Sequence, residues 1–305
     1  MNTQPIGIAI VAPSGYTLDD AALARGIDAL EAQGHTVHNY FDSAMVFQRF
    51  GGTDEARLAQ LNAAAADPAV EVVMALRGQY GMSRLLPHID FARMAASGKI
   101  FVGYSDFTAF QMALLAKTGA MSYAGPMFLP DFAAREPHAF TLGDFFQCLT
   151  SATHRISQAA CGNPTLSAHG TVWGGNLAML NSLLGTEYFP HVEGGILFVE
   201  DVNEHPYRIE RMLLQLMHSG VLARQQALIL GDFSAYQITP LDNGYDFDAM
   251  LAYLRQTLPC PVLTGLQFGH CARRVTIPFG ASGHLHSNGA HFELNLSGYP
   301  FLAGA

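Results

Sequence analysis

The first half of the chain alternates short apolar or β-branched runs with amphipathic stretches, and this pattern leaves few folds open. Ile6 to Ala12, Thr36 to Tyr40, Val70 to Leu76 and Ile100 to Tyr104 read as strands. Between them, helices are predicted from an Asp19 or Asp20 cap to Gln33, with Gly34 as the stop, and from Thr53 to Ala66. A third is predicted from Phe107 to Lys117. Strands that are apolar along their whole length need cover on both faces, which helices between successive parallel strands provide. The pattern therefore predicts an α/β fold, with an N-terminal doubly wound, mostly parallel sheet domain over residues 1–150. Ligands of such sheets bind at the carboxyl ends of the strands.

After residue 150 the texture changes. Residues 151–168 are polar, contain Gly and Pro, and lack periodicity, so they read as a linker with a short edge element. Residues 169–305 read as a smaller β-rich C-terminal domain with strands at Ile196 to Val199, Ala227 to Leu230 and Val275 to Phe279. A helix is predicted from Tyr207 to His218, which Asp201, Asn203 or Glu204 could cap, and Ser287-Asn288-Gly289 marks a hairpin. Half of the residues are hydrophobic and 13% are charged, enough apolar material for a large core. Net charge is −9 and no Lys/Arg run occurs, which argues against nucleic acid or an anionic membrane as partner. The opening MNTQPIGIAIVAPSGY lacks the features of a signal peptide, and no apolar run is long enough to span a bilayer, so a cytoplasmic location is expected. Cys148, Cys161, Cys260 and Cys271 are scattered and read as reduced, mostly buried thiols.

Four segments could carry chemistry. In Lys99-Ile-Phe-Val-Gly-Tyr-Ser105-Asp106-Phe107, a strand runs into a serine and then at once into a helix. Such a turn raises a hydroxyl beside helix N-terminal amides that can stabilise an oxyanion; the elbow pattern Gly-x-Ser-x-Gly is only partly met, and Ser105 or Asp106 could equally be a helix cap. Arg77-Gly78-Gln79-Tyr80-Gly81 is a loop directly after a strand, able to bring backbone amides close to a ligand or simply to turn. Glu200 and Asp201 end an apolar strand, where a carboxylate could orient an imidazole or cap the next helix. His270 lies in Gly265-Leu-Gln-Phe-Gly269-His270, one histidine among thirteen. No metal-binding spacing appears, the His284/His286 pair lacks a carboxylate motif, and no cofactor is expected. Together these segments offer a nucleophile, a base, a carboxylate and oxyanion donors, the set that acyl transfer requires.

At these residues the chain resembles the LD-carboxypeptidases, the muramoyltetrapeptide carboxypeptidases that form their own serine-peptidase family. The resemblance runs through IAIVAPSG, LRGQYGMSRLLPHIDF, FVGYSDFTAF, TVWGGNLAML, ILFVEDVNEHPYRIERML and GLQFGHC, and through the order Ser, Glu, His. It implies Ser105 as nucleophile, His270 as general base and Glu200 as the group that orients it. It further implies oxyanion donors at Asp106 and within the Arg77–Gly81 loop, including Gly78 and Gln79. The implied partner is the tetrapeptide stem of recycled peptidoglycan, cut before its terminal D-Ala, and the implied assembly is a metal-free homodimer. A carboxypeptidase also needs a group for the terminal carboxylate; Arg77, the loop amides, or the turn holding Trp173 and Asn176 are the candidates. Gln79 departs from the Arg-Gly-Gly-Tyr-Gly pattern, and at positive φ it would carry strain of about 1 kcal/mol or more. Two rival readings remain: a hydrolase of the same fold acting on peptide–nucleotide antibiotics, and a non-catalytic binding protein. A dinucleotide-binding enzyme is discounted, because Ala12-Pro13-Ser14-Gly15 stands where GxGxxG would follow the first strand.

Overall fold

The computed structural model describes residues 5–303. The first part runs β1 (Gly7–Val11), α1 (Asp20–Glu31), β2 (Thr36–Asn39), α2 (Asp54–Ala66) and β3 (Val72–Ala75). It continues through α3 (Met82–Leu85), α4 (Phe91–Ala96), β4 (Ile100–Gly103), α5 (Thr108–Thr118), β5 (Ser122–Ala124) and α6 (Ala139–Leu149). The expected caps are in place: Asp19 Oδ1 accepts the Ala22 amide at 2.8 Å, and Thr53 Oγ1 accepts the Ala56 amide at 3.2 Å. β1, β3 and β4 are buried at every residue, as their unbroken apolar sequences require, and they form the centre of a parallel sheet ordered β5-β4-β3-β1-β2.

The second part runs β6 (Thr153–Ala159), β7 (Thr165–Asn176), α7 (Leu177–Leu183), β8 (Gly195–Val202), α8 (Pro206–His218) and β9 (Gln225–Ser234). It ends with α9 (Phe247–Thr257), β10 (Val262–Leu263), β11 (Ile277–Phe279), β12 (Ser282–Asn288) and β13 (His291–Ser297). Its sheet has the order β10-β9-β8-β7-β12-β13-β6. The β7 to β10 half is parallel, while β12, β13 and β6 are antiparallel, with the predicted hairpin joining β12 to β13.

Three features differ from the sequence reading. Residues 151–168, read as a linker, contain all of β6 and the start of β7. The buried face of β6 carries His154, Ile156 and Gln158, so its period of two is hidden behind polar residues. The strand expected near Val275 leaves the second sheet: β11 pairs antiparallel with β5, placing Pro278 opposite Tyr123, and so closes the edge of the first sheet. Helix α8 is capped by His205, whose Nδ1 faces the Tyr207 amide at 3.4 Å, rather than by the acids or Asn203 before it. Of the four thiols, Cys148 and Cys260 are buried, Cys271 is partly buried and Cys161 is exposed. Among the described residues, no helix is long and apolar enough to cross a membrane.

The two sheets meet around α5. Its residues from Thr108 to Leu114 are all buried, and it packs against α4 on one side and α7 and β7 on the other. The carboxyl ends of β3 and β4 from the first sheet, and of β7 and β8 from the second, thereby face one another across a cleft.

Candidate active site

Ser105 lies two residues beyond β4, in a single tight turn that leads straight into α5. Its φ is +61°, a conformation costly for a side chain with a Cβ, and its side chain makes no helix-capping hydrogen bond. The capping alternative is thus replaced by a strained elbow. Gly103 explains how the turn closes: a Cβ there would lie 2.8 Å from the Phe107 ring and 3.1 Å from Ala75 Cβ. Phe107, standing where the elbow pattern has its last glycine, packs back over Gly103 and is fully buried.

The loop after β3 lies directly on the serine. A Cβ on Gly78 would sit 2.7 Å from Ser105 Oγ and 3.7 Å from the Asp106 nitrogen, so only glycine allows this approach. Among the described residues, neither the Gly78 nor the Asp106 amide donates to a protein acceptor, which leaves both N–H groups for a ligand. Asp106 is held below: its Oδ2 accepts from Ser14 Oγ at 2.5 Å and from the Met82 amide at 2.8 Å, and burial pushes its carboxyl above the usual range. Arg57, fully buried, donates to the carbonyls of Pro13 and Gly81 and so locks the turn after β1 to the end of this loop.

Gln79 has φ +84°, so the anticipated strain is present. At a left-handed position glycine outperforms any residue with a Cβ by about 1 kcal/mol. Gln79→Gly is accordingly expected to be more stable than Gln79→Ala by about that amount; equal midpoints in urea unfolding would show that the loop relaxes instead.

His270 brings the second half of the chain to the serine. Its Nδ1–H donates to Glu200 Oε2 at 2.7 Å, which leaves Nε2 to accept from Ser105 Oγ–H at 3.2 Å. Glu200, near the end of β8, is fully buried behind the ring. Burial disfavours the imidazolium, but the Glu200 hydrogen bond and charge, helped by the Asp201 charge, outweigh it and raise the His270 pKa. Asn176, paired with Glu200 across β7 and β8, donates Nδ2–H to Glu200 Oε1 (3.2 Å) and Asp201 Oδ1 (3.0 Å). Asp201 also accepts the Ala178 and Val202 amides; burial, and then the Glu200 charge, push its carboxyl up to about 6.

A buried cation braces the histidine loop. Arg274 donates to the Gly269 carbonyl at 2.6 Å and the Cys271 carbonyl at 3.2 Å, and pairs with buried Asp131. Its guanidinium lies 4.0 Å over the Tyr104 ring, which in turn meets the His270 ring edge-on at 5.1 Å. Sequence reasoning missed Tyr104, Asp131 and Arg274, although Arg274 follows His270 by four residues in the same turn.

Of the residues singled out from sequence, Arg77, Gly78, Gln79, Ser105, Asp106, Asn176 and His270 line one cleft of about 910 Å³, with Glu200 behind His270. Trp173 does not reach it. It is 1% exposed within β7, and its indole N–H donates to Gln225 Oε1 at 2.9 Å, so it is a core residue rather than a carboxylate ligand. Asn176 is engaged with the two carboxylates instead of projecting a free amide. Arg77 forms no ion pair among the described residues and donates to the Tyr16 carbonyl at 3.2 Å.

The sequence matches the LD-carboxypeptidase N-terminal domain over residues 8–125 and the LD-carboxypeptidase C-terminal domain over residues 169–285. The chain belongs to the LD-carboxypeptidase family. A muramoyltetrapeptide carboxypeptidase from Oxalobacter formigenes, of known structure, is 50% identical and superposes with a TM-score of 0.93 over 96% of this chain and 99% of its own. The murein tetrapeptide carboxypeptidase of Pseudomonas aeruginosa is 29% identical over 93% of this chain and 95% of its own. The microcin C7 self-immunity protein MccF of Escherichia coli is more distant, 27% identical over 84% of this chain and 83% of its own.

Proposed function

We propose that this LD-carboxypeptidase is a serine-type peptidase that releases the terminal D-Ala from the L,D-bond of a peptidoglycan-derived tetrapeptide. The observation that carries the reading is the relay from Glu200 Oε2 to His270 Nδ1 (2.7 Å) and from His270 Nε2 to Ser105 Oγ (3.2 Å). His270 takes the Ser105 proton as Oγ attacks the carbonyl of the third residue. The amides of Gly78 and Asp106 receive the oxyanion, and the proton passes from His270 to the nitrogen of the departing D-Ala. Water, deprotonated by the same imidazole, then cleaves the ester and restores Ser105. Glu200 keeps Nδ1 protonated and balances the charge on the ring. Arg77 and the loop amides are the groups offered to the free carboxylate of the leaving residue.

The same reading includes work in the cytoplasm on recycled wall fragments, as a homodimer without a metal, with residues 1–150 carrying the nucleophile and 169–305 the acid and base. The 50% identity to the Oxalobacter formigenes enzyme favours this substrate over the peptide–nucleotide conjugates of the immunity type. Release of D-Ala from a muramoyl tetrapeptide, assayed beside cleavage of an aminoacyl-nucleotide analogue, tests the choice. Turnover of the analogue alone would reverse it.

The pH profile follows from the raised His270 pKa. Only the neutral ring can accept the serine proton, so kcat/KM is expected to fall as pH drops through a pKa above the usual histidine value of 6.5. A flat profile through that range would exclude His270 as the base.

A further inference from the structure

The catalytic cleft does not end at Arg77. A second cavity of about 670 Å³ shares Thr17, Asp19, Arg77 and Gln79 with it and continues to Tyr16, Gln48 and Arg49. We propose that this second cavity is a subsite for a carboxylate on the acyl side of the substrate, read chiefly by Arg49. The inference rests on the peptidase reading above and deepens it.

Two independent observations support a built site. The first is strain. Six non-glycine residues among those described have positive φ, and four of them, Gln48, Gln79, Ser105 and Asn203, line these two contiguous cavities. Such residues are uncommon and gather where function holds them. Gln48 (φ +53°) and Gln79 (φ +84°) border the second cavity, and neither side chain has a hydrogen-bond partner among the described residues. Both are therefore free to meet peptide amides.

The second observation is charge. The chain carries −9 net, yet Arg49, which the leaving residue does not use, reaches this cavity with no acidic partner among the described residues. Arg49 packs 5.8 Å over the Tyr80 ring, an aromatic support that leaves its N–H groups open. The one acid on the wall, Asp19, is occupied in capping α1. The unpaired Arg49 guanidinium beside the free Gln48 and Gln79 amides suits a carboxylate with adjoining peptide bonds. The acyl side is indicated by size: the leaving group is a single small amino acid, and the first cleft already exceeds its needs.

The test uses two tetrapeptides that end in the same L,D-bond, one with its acyl-side carboxylates free and one with them amidated. A charge-assisted contact is worth about tenfold or more. Wild type should prefer the free acid by at least about tenfold in kcat/KM, chiefly through KM. Arg49→Gln should erase that preference while cleaving the amidated peptide at close to the wild-type rate. Equal use of both peptides by wild type, or a preference that survives in Arg49→Gln, overturns the proposal. Should wild type cleave neither peptide, the peptidase reading fails on its own. Calorimetric binding of the same pair to Ser105→Ala, with and without Arg49→Gln, then decides the subsite by the same criterion, absence of binding counting against it.

Discussion

Ser105→Ala is expected to lower kcat by at least about 10⁴-fold while leaving the unfolding midpoint within a degree or two of wild type. Both halves follow from the elbow. Alanine keeps the Cβ, so the strain at φ +61° and the packing of Phe107 on Gly103 are unchanged. What disappears is the oxygen 3.2 Å from His270 Nε2, and with it the acyl-enzyme route. The Gly78 and Asp106 amides would still polarise a bound carbonyl, so a residue of catalysis by water should persist. An active-site serine probe should label the wild type and spare the variant, which also separates a catalyst from a mere peptide-binding protein. Turnover near the wild-type rate would remove Ser105 from the chemistry.

Glu200→Gln should cost about 10⁴-fold in kcat, the loss found when a triad carboxylate elsewhere is neutralised. The carboxylate is fully buried and takes the Nδ1–H of His270 at 2.7 Å. An amide in its place can donate to Nδ1, which moves the ring proton to Nε2 and leaves no acceptor facing Ser105. The pH profile carries a second signature. Desolvation already favours the neutral ring, and the Glu200 hydrogen bond and charge are what reverse it. Without them the acidic limb of the remaining activity should move to lower pH. A limb that stays in place would mean that Glu200 acts only on geometry.

The central sheet was legible because β1, β3 and β4 are apolar on both faces, a pattern with one common solution. β6 was not, since buried His154 and Gln158 look like solvent-facing residues when read singly. β11 is three residues with a proline at its centre, and nothing local says which sheet it joins; that depends on where the loop bearing His270 is tied. Arg274 Nη2 to Asp131, the Thr276 amide to Asp144 Oδ2 (2.6 Å) and Thr141 Oγ1 to the Ala272 carbonyl (2.7 Å) make that tie, all of it between residues more than 130 positions apart.

The site shows the same division. Ser105, Glu200 and His270 could be chosen because their chemistry and order fit a known set, although each alone was an ordinary cap, strand end or loop residue. Gln79 was marked by its departure from glycine, and its φ of +84° bears out the concern. Trp173 was misplaced because glycines at 174 and 175 suggested a turn, whereas they continue β7, and a Cβ on Gly174 would come 1.8 Å from the Phe198 carbonyl oxygen. Arg274 and Tyr104 were beyond reach because their value lies in stacking on one another, which no spacing reports.

The pairing of β11 with β5 has a consequence for how the protein is made. Ser105 comes early in the chain, but the strand that covers the edge of its sheet is at 277–279 and its histidine partner at 270. During synthesis the first sheet therefore waits with an open edge at β5 until most of the chain has left the ribosome, and the relay closes only then. Each nascent chain passes through an interval in which it holds Ser105 without His270. The same interval leaves β5 open to pairing with a neighbour on the same message.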